Sequence, residues 1–354
     1  MTDFMDKFQG CLIGFAIGDA IGSPLEFSER DDLCQFTEME NNYHYNLPAG
    51  HWTDKTSQVL CLVHSLIENR DLICDDFLCK YHQLITIGTL APLDRPFEST
   101  QYMKITALKI GLLMKYKRSI PPVLNPNDYH QIDCEPFFRI PGVILSYYSQ
   151  PSKCVQYIEK ITQSTHISKI CIDACQWYGS LMIGALMGVS KERLLSDQFN
   201  IMDVTTYGTL KYNKITRNYL ENCTDIILNE TTGNQVICKS TKKKQFLRNL
   251  IPPISKIQKG SYKNKTRNQI HSDNNIVHCL EAALWAFYST SNFENGCILA
   301  INLGFNSNAI GAIYGQLAGV YYGFSQIPQR WISKLHQFPH LYELSRHLNQ
   351  LNSN

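Results

Sequence analysis

The chain lacks an excess of one charge, the alternation of polar and apolar residues that is typical of strands, and paired cysteines. Each absence disfavours a class of protein. Its 33 basic and 31 acidic side chains nearly cancel, so the composition disfavours nucleic acid and anionic membranes as partners. Alternation of polar and apolar residues with a period of two is scarce, which disfavours a β-sheet protein. The first residues carry no basic region followed by an apolar run, so we expect no signal peptide.

Cysteine itself is plentiful, but the 13 cysteines include no Cys-x-x-Cys pair. An odd number without that spacing disfavours a disulfide framework. We therefore expect reduced, mostly buried thiols and a cytoplasmic, reducing location.

Helical periodicity is the dominant pattern in the chain. Apolar residues recur at helical spacing in eight segments, namely 8–22, 56–69, 75–84, 105–117, 168–189, 276–288, 293–303 and 308–323. With 354 residues and 44% hydrophobic side chains, the chain is long enough to bury a sizeable core. We predict an all-α protein, a single compact orthogonal helical domain spanning residues 1–354.

One apolar run near the C-terminus resembles a membrane segment at first sight. Residues 309–324 are apolar apart from Gln316, and glycines recur at every fourth position from Gly311 to Gly323. That spacing occurs in membrane helix dimers. A run of about 16 residues is nevertheless short of the roughly 20 that a spanning helix needs. The pattern predicts a buried central helix that a neighbour approaches closely along its glycines, and no membrane partner.

The segment from Thr231 to Ser272 is basic, with ten lysines and arginines and no acidic residue. We interpret it as a variable segment of the domain, either a solvated loop or an inserted subdomain. The alternative is a contact surface for a protein partner, centred on residues 239–267.

Two short motifs near opposite ends of the chain carry the strongest functional signal. The first is Trp52-Thr53-Asp54-Lys55-Thr56, and the second is the sequence GFNSNAIG at residues 304–311. They resemble the paired metal-binding motifs of the ADP-ribosylglycohydrolase family, which read Trp-Thr-Asp-Asp-Thr and Gly-Gly-Asp-Thr-Asp-Thr-Ile. Residues 10–27, 164–166, 278–287 and 319–331 resemble other family segments in the right order.

The resemblance implies an all-α fold and a known chemistry. Family members remove ADP-ribose from a modified side chain or from ADP-ribose chains, and two magnesium ions lie at the N-termini of two helices. Their catalytic positions correspond to Glu26 and Asp54, since carboxylates near an anomeric carbon can activate water or stabilise an oxocarbenium-like transition state. The alternative to a catalytic role is that Glu26 is an exposed turn residue. The ligand-binding positions correspond to Thr53, Lys55, Arg139, His166, Asn306, Ser307 and Asn308.

The motifs also depart from the family in their charges. Lys55 stands where the second aspartate belongs, and Asn306, Asn308 and Ala309 replace two aspartates and a threonine. Magnesium needs hard oxygen ligands and charge compensation, and of these positions only Asp54 keeps a carboxylate. We therefore expect the dinuclear magnesium site to be lost, with Thr53, Asp54, Asn306 and Asn308 as its vestigial positions and no cofactor assigned.

The diphosphate-binding segment has changed as well. The corresponding residues are 133–141, which keep Arg139 but have lost the glycines of the family. Pro136 also removes one backbone N–H donor.

Two roles for Lys55 remain open. Thr53, Ser307 and Asn308 are good helix N-cap residues, and helix N-termini that face one cleft favour an anion such as a phosphate, which Lys55 would meet. Alternatively, Lys55 only forms a salt bridge with Asp54 that holds the vacated site together.

Three functions remain open at this point. The first is a divergent ADP-ribosylglycohydrolase that acts on ADP-ribosylated protein or a related ADP-ribose conjugate with one metal ion or none. The second is a pseudo-hydrolase that binds ADP-ribose or ADP-ribosylated protein without cleavage. The third is an interaction module that contacts its partner through residues 231–272. The resemblance ranks the hydrolase first, whereas the lost aspartates and glycines favour the other two.

Overall fold

The computed structural model describes residues 2–30, 35–97, 99–121, 128–200 and 250–351. The α-helices of these residues are α1 (Thr2–Gly22), α2 (Asp54–Asn69), α3 (Cys74–Ile87), α4 (Gln101–Lys115), α5 (Ile140–Tyr147), α6 (Pro151–Gln163), α7 (Lys169–Leu186), α8 (Lys191–Leu194), α9 (Pro252–Gln258), α10 (Ile276–Ser289), α11 (Phe293–Ile301), α12 (Ser307–Tyr322), α13 (Gln329–Ile332) and α14 (Phe338–Leu351). The described residues contain no β-strand, only the isolated bridges Asn42–Leu47 and Asp133–Asn275. The prediction of an all-α fold is confirmed.

Helices α1 and α12 cross the centre of the molecule antiparallel, with backbone against backbone. An ideal Cβ atom on Gly18 would lie 1.9 Å from the carbonyl oxygen of Gly311, and one on Gly315 would lie 2.0 Å from that of Gly14. We call this contact the glycine seam; its members are Gly10, Gly14 and Gly18 of α1 and Gly311, Gly315 and Gly319 of α12. The buried, closely approached central helix predicted from the glycine spacing is therefore present.

The surroundings of the seam explain why α1 is so apolar. Within the described residues, one stretch, Phe4–Leu25, is long and apolar enough to cross a membrane by length and composition, and 94% of its most apolar 18-residue window is buried inside the molecule. The same length and composition suit the core helix of a folded domain, and α1 occupies that place here.

Six α-helices of the described residues were not among the eight predicted segments, namely α5, α6, α8, α9, α13 and α14. Helices α8, α9 and α13 have at most seven residues, and α6 and α14 are amphipathic helices in which only a narrow stripe is buried. Their apolar residues recur at helical spacing within a mostly polar sequence, which sets these helices apart from the more apolar segments that were predicted.

The C-terminal half of the basic segment, residues 250–272, packs on the core, whereas the prediction left a solvated loop and an inserted subdomain open. Helix α9 buries Ile254 and Ile257, and the Lys265 ammonium lies 2.7 Å from the carboxylate of Glu281 on α10. The indole nitrogen of Trp285 donates to the Lys265 carbonyl at 2.9 Å. Residues 250–272 are thus packed on the core, while residues 231–249 lie outside the described residues.

Candidate functional site

The C-terminal end of α1 and the N-terminal ends of α2 and α12 meet at one place. Helix α1 continues into a short 3-10 turn, Ser23–Leu25, which brings Glu26 to the start of α12. The Ser307 hydroxyl donates to the Gly22 carbonyl at 2.8 Å. Backbone hydrogen bonds then join Phe27 N–H to the Phe305 carbonyl at 2.8 Å and Phe305 N–H to the Ser28 carbonyl at 2.9 Å. The two sequence motifs therefore face the same turn.

Lys55 lies between two carboxylates at this meeting point. Its Nζ is 2.7 Å from Asp54 Oδ1 and 3.1 Å from Glu26 Oε1. The exposed fractions of the three side chains are 11% for Lys55, 14% for Asp54 and 6% for Glu26, so Glu26 is not the exposed turn residue of the alternative interpretation. Although burial alone would lower it, Asp54, Glu26 and Asp19 hold the pKa of the Lys55 ammonium well above its usual range.

Asn308 completes what we call the Lys55 cluster, made of Glu26, Thr53, Asp54, Lys55 and Asn308. The Asn308 amide nitrogen donates to Glu26 Oε2 at 2.8 Å and to Thr53 Oγ1 at 3.3 Å. Its oxygen accepts the Ala309 N–H at 2.9 Å. Both oxygens of Glu26 are thus engaged by cationic or amide donors from this chain.

Asp19 is the residue of this site that the sequence interpretation missed. It is fully buried on α1 and accepts four hydrogen bonds from the start of α2. The donors are Thr53 N–H (3.0 Å), Thr53 Oγ1 (2.6 Å), Thr56 N–H (3.0 Å) and Thr56 Oγ1 (2.7 Å). Burial raises the pKa of Asp19 to about 6 although Lys55 and the two threonine hydroxyls favour the carboxylate. The signal was an aspartate inside the apolar α1.

The side chains of this site do not fit two magnesium ions. An ammonium occupies the space between the carboxylates of Glu26 and Asp54, and Asn308 presents a donor rather than an oxygen to Glu26. Magnesium requires several oxygen ligands in near-octahedral geometry. We therefore derive no chemical step through a metal ion at this site.

Asn306 and Ser307 are near the Lys55 cluster but face elsewhere. The Asn306 amide donates to Asn274 Oδ1 at 3.2 Å and to the sulfurs of Cys134 and Cys279 at 3.3 and 3.4 Å. Ser307 is fully buried with its hydroxyl on α1. Neither side chain hydrogen-bonds to the Lys55 cluster, and their role in ligand binding stays a prediction.

Arg139 lies in a separate buried network and has no exposed surface. Its guanidinium pairs with Glu135, donates to Thr165 Oγ1 at 2.6 Å, and lies over the rings of Phe77 and Tyr81. Fixed in this way, Arg139 braces the 3-10 turn Glu135–Arg139 against α3 and does not face an open cleft.

His166 belongs to the same buried network. Its Nδ1 lies 2.8 Å from Thr165 Oγ1 and its Nε2 3.2 Å from Asp133 Oδ1. Burial alone would raise the pKa of Asp133, but His166, Gln131 and a backbone N–H lower it to about 2. Arg139 and His166, both expected to bind ligand, share no hydrogen bond with the Lys55 cluster in this structure.

A small open pocket adjoins Glu26. It has a volume of about 190 Å³ and is lined by His44, Tyr45, Asn46, Leu93, Arg95, Pro96 and Phe97. Burial and the neighbouring charge of Glu26 raise the pKa of the Tyr45 hydroxyl, which places Tyr45 between the pocket and the Lys55 cluster. Arg95 donates to the Tyr45 carbonyl at 2.8 Å. The pocket offers aromatic walls and one guanidinium.

Two further groups of side chains have the composition of a metal site. Asp133, Glu135 and His166 lie close together, as do His271 and Asp273 before α10 and His278 in its first turn. The side chains of the first group are already paired within the buried network around Arg139 and His166. In the second, His278 Nδ1 lies 2.8 Å from Asp273 Oδ2, which a hydrogen bond alone explains.

Comparison with known proteins identifies the relatives of this chain. The family model described as ADP-ribosylglycohydrolase matches residues 1–354. An ADP-ribosylarginine hydrolase Tri1 from Serratia proteamaculans is 27% identical over 350 residues, which are 98% of this chain and 80% of that protein. ADP-ribosylhydrolase ARH3 from Gallus gallus is 21% identical over 375 residues, covering 98% of this chain and 93% of that protein.

A solved structure supports the fold independently. It is titled an ADP-ribosylglycohydrolase-related protein complex, covers 99% of both chains, and superimposes with a TM-score of 0.73 at 24% sequence identity. At that identity the likeness shows the fold alone.

Proposed function

The chain belongs to the ADP-ribosylglycohydrolase family, and from that membership we propose that it binds an ADP-ribose conjugate, such as ADP-ribosylated protein, without a magnesium centre. The observation that carries the proposal is the Lys55 ammonium held between the carboxylates of Glu26 and Asp54. One fixed cation there replaces the charge that the family resemblance assigns to metal ions. Two carboxylates with one lysine suit the hydroxyl groups of a ribose, because carboxylate oxygens accept hydrogen bonds from sugar hydroxyls.

Lys55 itself is a poor phosphate ligand in this arrangement. Both of its neighbouring carboxylates lie within 3.1 Å, so the cluster carries a net charge of about −1 from two carboxylates and one ammonium. The salt-bridge role for Lys55 is therefore favoured over the phosphate role. We assign phosphate recognition to Arg95, whose guanidinium stands beside the pocket and matches phosphate geometry.

Hydrolysis is the second candidate, since the family and relatives of this chain are hydrolases. In that case a water would add to the anomeric carbon as the bond to the acceptor breaks, with Glu26 taking a proton from the water and returning it to the departing acceptor atom. Each oxygen of Glu26 already accepts a hydrogen bond, from Lys55 or from Asn308. The family resemblance assigns the placing of that water to metal ions, whereas Lys55 occupies the space between the two carboxylates here, so we expect binding without appreciable turnover.

Calorimetry with ADP-ribose, with and without magnesium, tests the proposal. We expect binding whose affinity magnesium changes by less than about twofold, because the cation in the site is covalently part of the chain. Arg95→Met should weaken binding by about tenfold, while Arg118→Met, at an exposed arginine after α4, should not. Absence of binding, or affinity that depends on magnesium, would overturn the proposal.

A release assay on ADP-ribosylated arginine and serine substrates separates the two candidates. We expect no release above the uncatalysed rate. Release without magnesium that Glu26→Gln abolishes would establish the hydrolase instead.

A further inference from the structure

Helix α4 carries apolar residues on two opposite faces. Its inner face buries Met103, Thr106, Ala107 and Ile110, and Nδ1 of His82 on α3 lies 2.8 Å from the Ala107 carbonyl oxygen. These contacts fix which side of the helix faces the core. The residues on the other side of α4 are therefore held toward solvent.

The outer face has an aliphatic stripe, made of Ile105, Leu108 and Leu112, which we call the α4 stripe. Residues spaced by three, four and seven positions lie on one side of an α-helix. The three residues are 40%, 67% and 54% exposed, and Tyr116, one turn after Leu112, is 65% exposed. Single exposed apolar residues are common, whereas several together on one helix face indicate a contact surface.

The charges around the α4 stripe are all positive. Exposed cations follow both edges of the stripe and continue past the end of the helix; they are Lys104, Lys109, Lys115, Lys117 and Arg118. No acidic residue occurs in residues 99–121. The near-neutral balance of the whole chain, which disfavours an anionic membrane, therefore conceals a local excess of positive charge.

This combination of groups selects the kind of partner. A second copy of the chain would bring the same cations to the contact, and like charges repel. The centre of a protein interface is enriched in aromatic residues and arginine and depleted in lysine, whereas this surface is aliphatic and bordered by lysines. Leucine on one side and lysine beside it is the pattern of a helix that lies in the plane of a membrane surface with anionic lipids.

We propose that α4 is a peripheral membrane-binding helix, which inserts the α4 stripe at the surface of an anionic lipid bilayer. The lysine stems lie along the apolar surface while their ammonium groups meet the anionic headgroups. Tyr116 suits the same interface, where amphipathic rings are enriched. No residue of the Lys55 cluster or of its neighbouring pocket takes part, so the proposal stands independently of the proposed function.

Flotation of the full chain with lipid vesicles tests the proposal. Phosphatidylcholine vesicles that contain about 30% phosphatidylserine should carry the protein at low salt, and pure phosphatidylcholine vesicles should bind it at least about tenfold more weakly. Leu108→Gln combined with Leu112→Gln keeps every charge and should weaken binding by about tenfold. Lys104→Gln combined with Lys115→Gln should weaken it by a similar factor. Because all four side chains are exposed, the circular dichroism and Tm of both variants should match the wild type.

Two control variants lie outside α4. Lys256→Gln combined with Lys259→Gln removes the same amount of charge from exposed lysines in and just after α9. Tyr43→Gln removes a ring that is 83% exposed. Both controls should bind the mixed vesicles as the wild type does. An equal loss in the Lys256 and Lys259 variant would mean that net charge alone attracts the protein, which would overturn the proposal.

The remaining outcomes also decide against the membrane. No flotation with the mixed vesicles, or flotation that the leucine variant leaves unchanged, contradicts membrane binding by α4. Self-association in lipid-free buffer that the leucine variant abolishes would make the α4 stripe an interface between copies of the chain. Binding of a soluble helical peptide of leucine and glutamate, without flotation, would make it a docking site for an acidic protein.

Discussion

The glycine seam joins α1 and α12, the Lys55 cluster lies where one end of this pair meets the start of α2, and the two regions obey opposite constraints. In the seam the backbones of α1 and α12 touch, so a Cβ atom at Gly18 would lie 1.9 Å from a carbonyl oxygen. In the cluster the contacts join polar side chains, so several side chains can be substituted together while their charges stay balanced. Lys55 stands between Glu26 and Asp54 at hydrogen-bond distance, so an ammonium of the chain itself forms an internal ion pair there.

The difference explains why the fold is easier to identify than the chemistry. Backbone packing permits only glycine at a given seam position, whereas a polar cleft permits any set of side chains that satisfies its charges and hydrogen bonds. The seam therefore fixes the architecture while the cleft departs from the family motif. Four predictions probe this contrast.

The largest effect is expected in the seam. Gly315→Ala would place a Cβ atom 2.0 Å from the Gly14 carbonyl oxygen, and neither backbone can move without separating the two central helices. We expect a loss of more than about 4 kcal/mol in the free energy of unfolding, or no folded protein. Urea denaturation followed by circular dichroism measures it.

Gly142→Ala on α5 is the matched control. The nearest atoms to its Cβ atom would all be side-chain atoms, of Leu62 at 3.2 Å and Leu66 at 3.5 Å, and alanine favours a helix over glycine. We expect a change within about 1 kcal/mol. Equal losses for both variants would show that the seam is not constrained by its backbones.

The second effect concerns Asp19, which links the two regions. Asp19→Ala would leave the N–H groups of Thr53 and Thr56 buried without their acceptor, and we expect a loss of about 3–5 kcal/mol. Asp19→Asn should be tolerated, because Oδ2 accepts three of the four hydrogen bonds and the amide nitrogen can take the place of Oδ1 against the Thr53 hydroxyl. If both variants unfold equally, the hydrogen-bond account of this residue is wrong.

Sequence patterns predicted the architecture well and the side-chain contacts poorly. The glycine spacing indicated the central helix because periodicity records which face is buried. The sequence indicated only one of the two partners of Lys55. Asp54 is its neighbour in the chain, whereas Glu26 is brought to Lys55 by the turn after α1. Nothing local in the sequence fixes such long-range placement.

The burial of Arg139 shows that a residue can match the family motif while its contacts differ from those that the match predicts. Matching the family at Arg139 predicted a ligand contact, yet its guanidinium is engaged by Glu135 and Thr165 in the core. A motif match gives the residue type, whereas the neighbours that engage it come from α3 and from the turn before α7. Asp19 was overlooked for the converse reason, because its role appears only when α2 is placed above it.

The third effect is a pH dependence carried by Asp19. Its pKa is raised from 3.8 to about 6 in the folded chain, so between these values the folded state binds more protons than the unfolded state. This contribution to stability is complete below pH 4 and is lost as the pH rises through 6. Asp19→Asn removes the titration.

The measurable quantity is the difference between Asp19→Asn and the wild type. We expect the variant to be more stable at pH 7 by up to about 2–3 kcal/mol, the equivalent of the pKa shift, with the difference shrinking toward pH 4. Parallel stability profiles for the two proteins between pH 4 and 7 would contradict the assigned shift.

The smallest effect tests whether the Lys55 cluster tolerates a substitution better than the glycine seam does. Lys55→Met leaves Glu26 and Asp54 without their cation, and because the three side chains are at most 14% exposed, we expect a loss of about 2 kcal/mol. Lys80 is the matched control, since it also lies between two carboxylates, 2.7 Å from Glu68 and 3.3 Å from Asp76. Those carboxylates are 55% and 31% exposed, so water screens them and Lys80→Met should cost less than about 1 kcal/mol.

Thermal denaturation of both variants at low and high salt tests whether the Lys55 ion pair is buried or solvated. Only the Lys80 variant should converge on the wild type as salt rises, and convergence of the Lys55 variant would mean that its cluster is a solvated surface ion pair rather than the buried replacement of a metal charge.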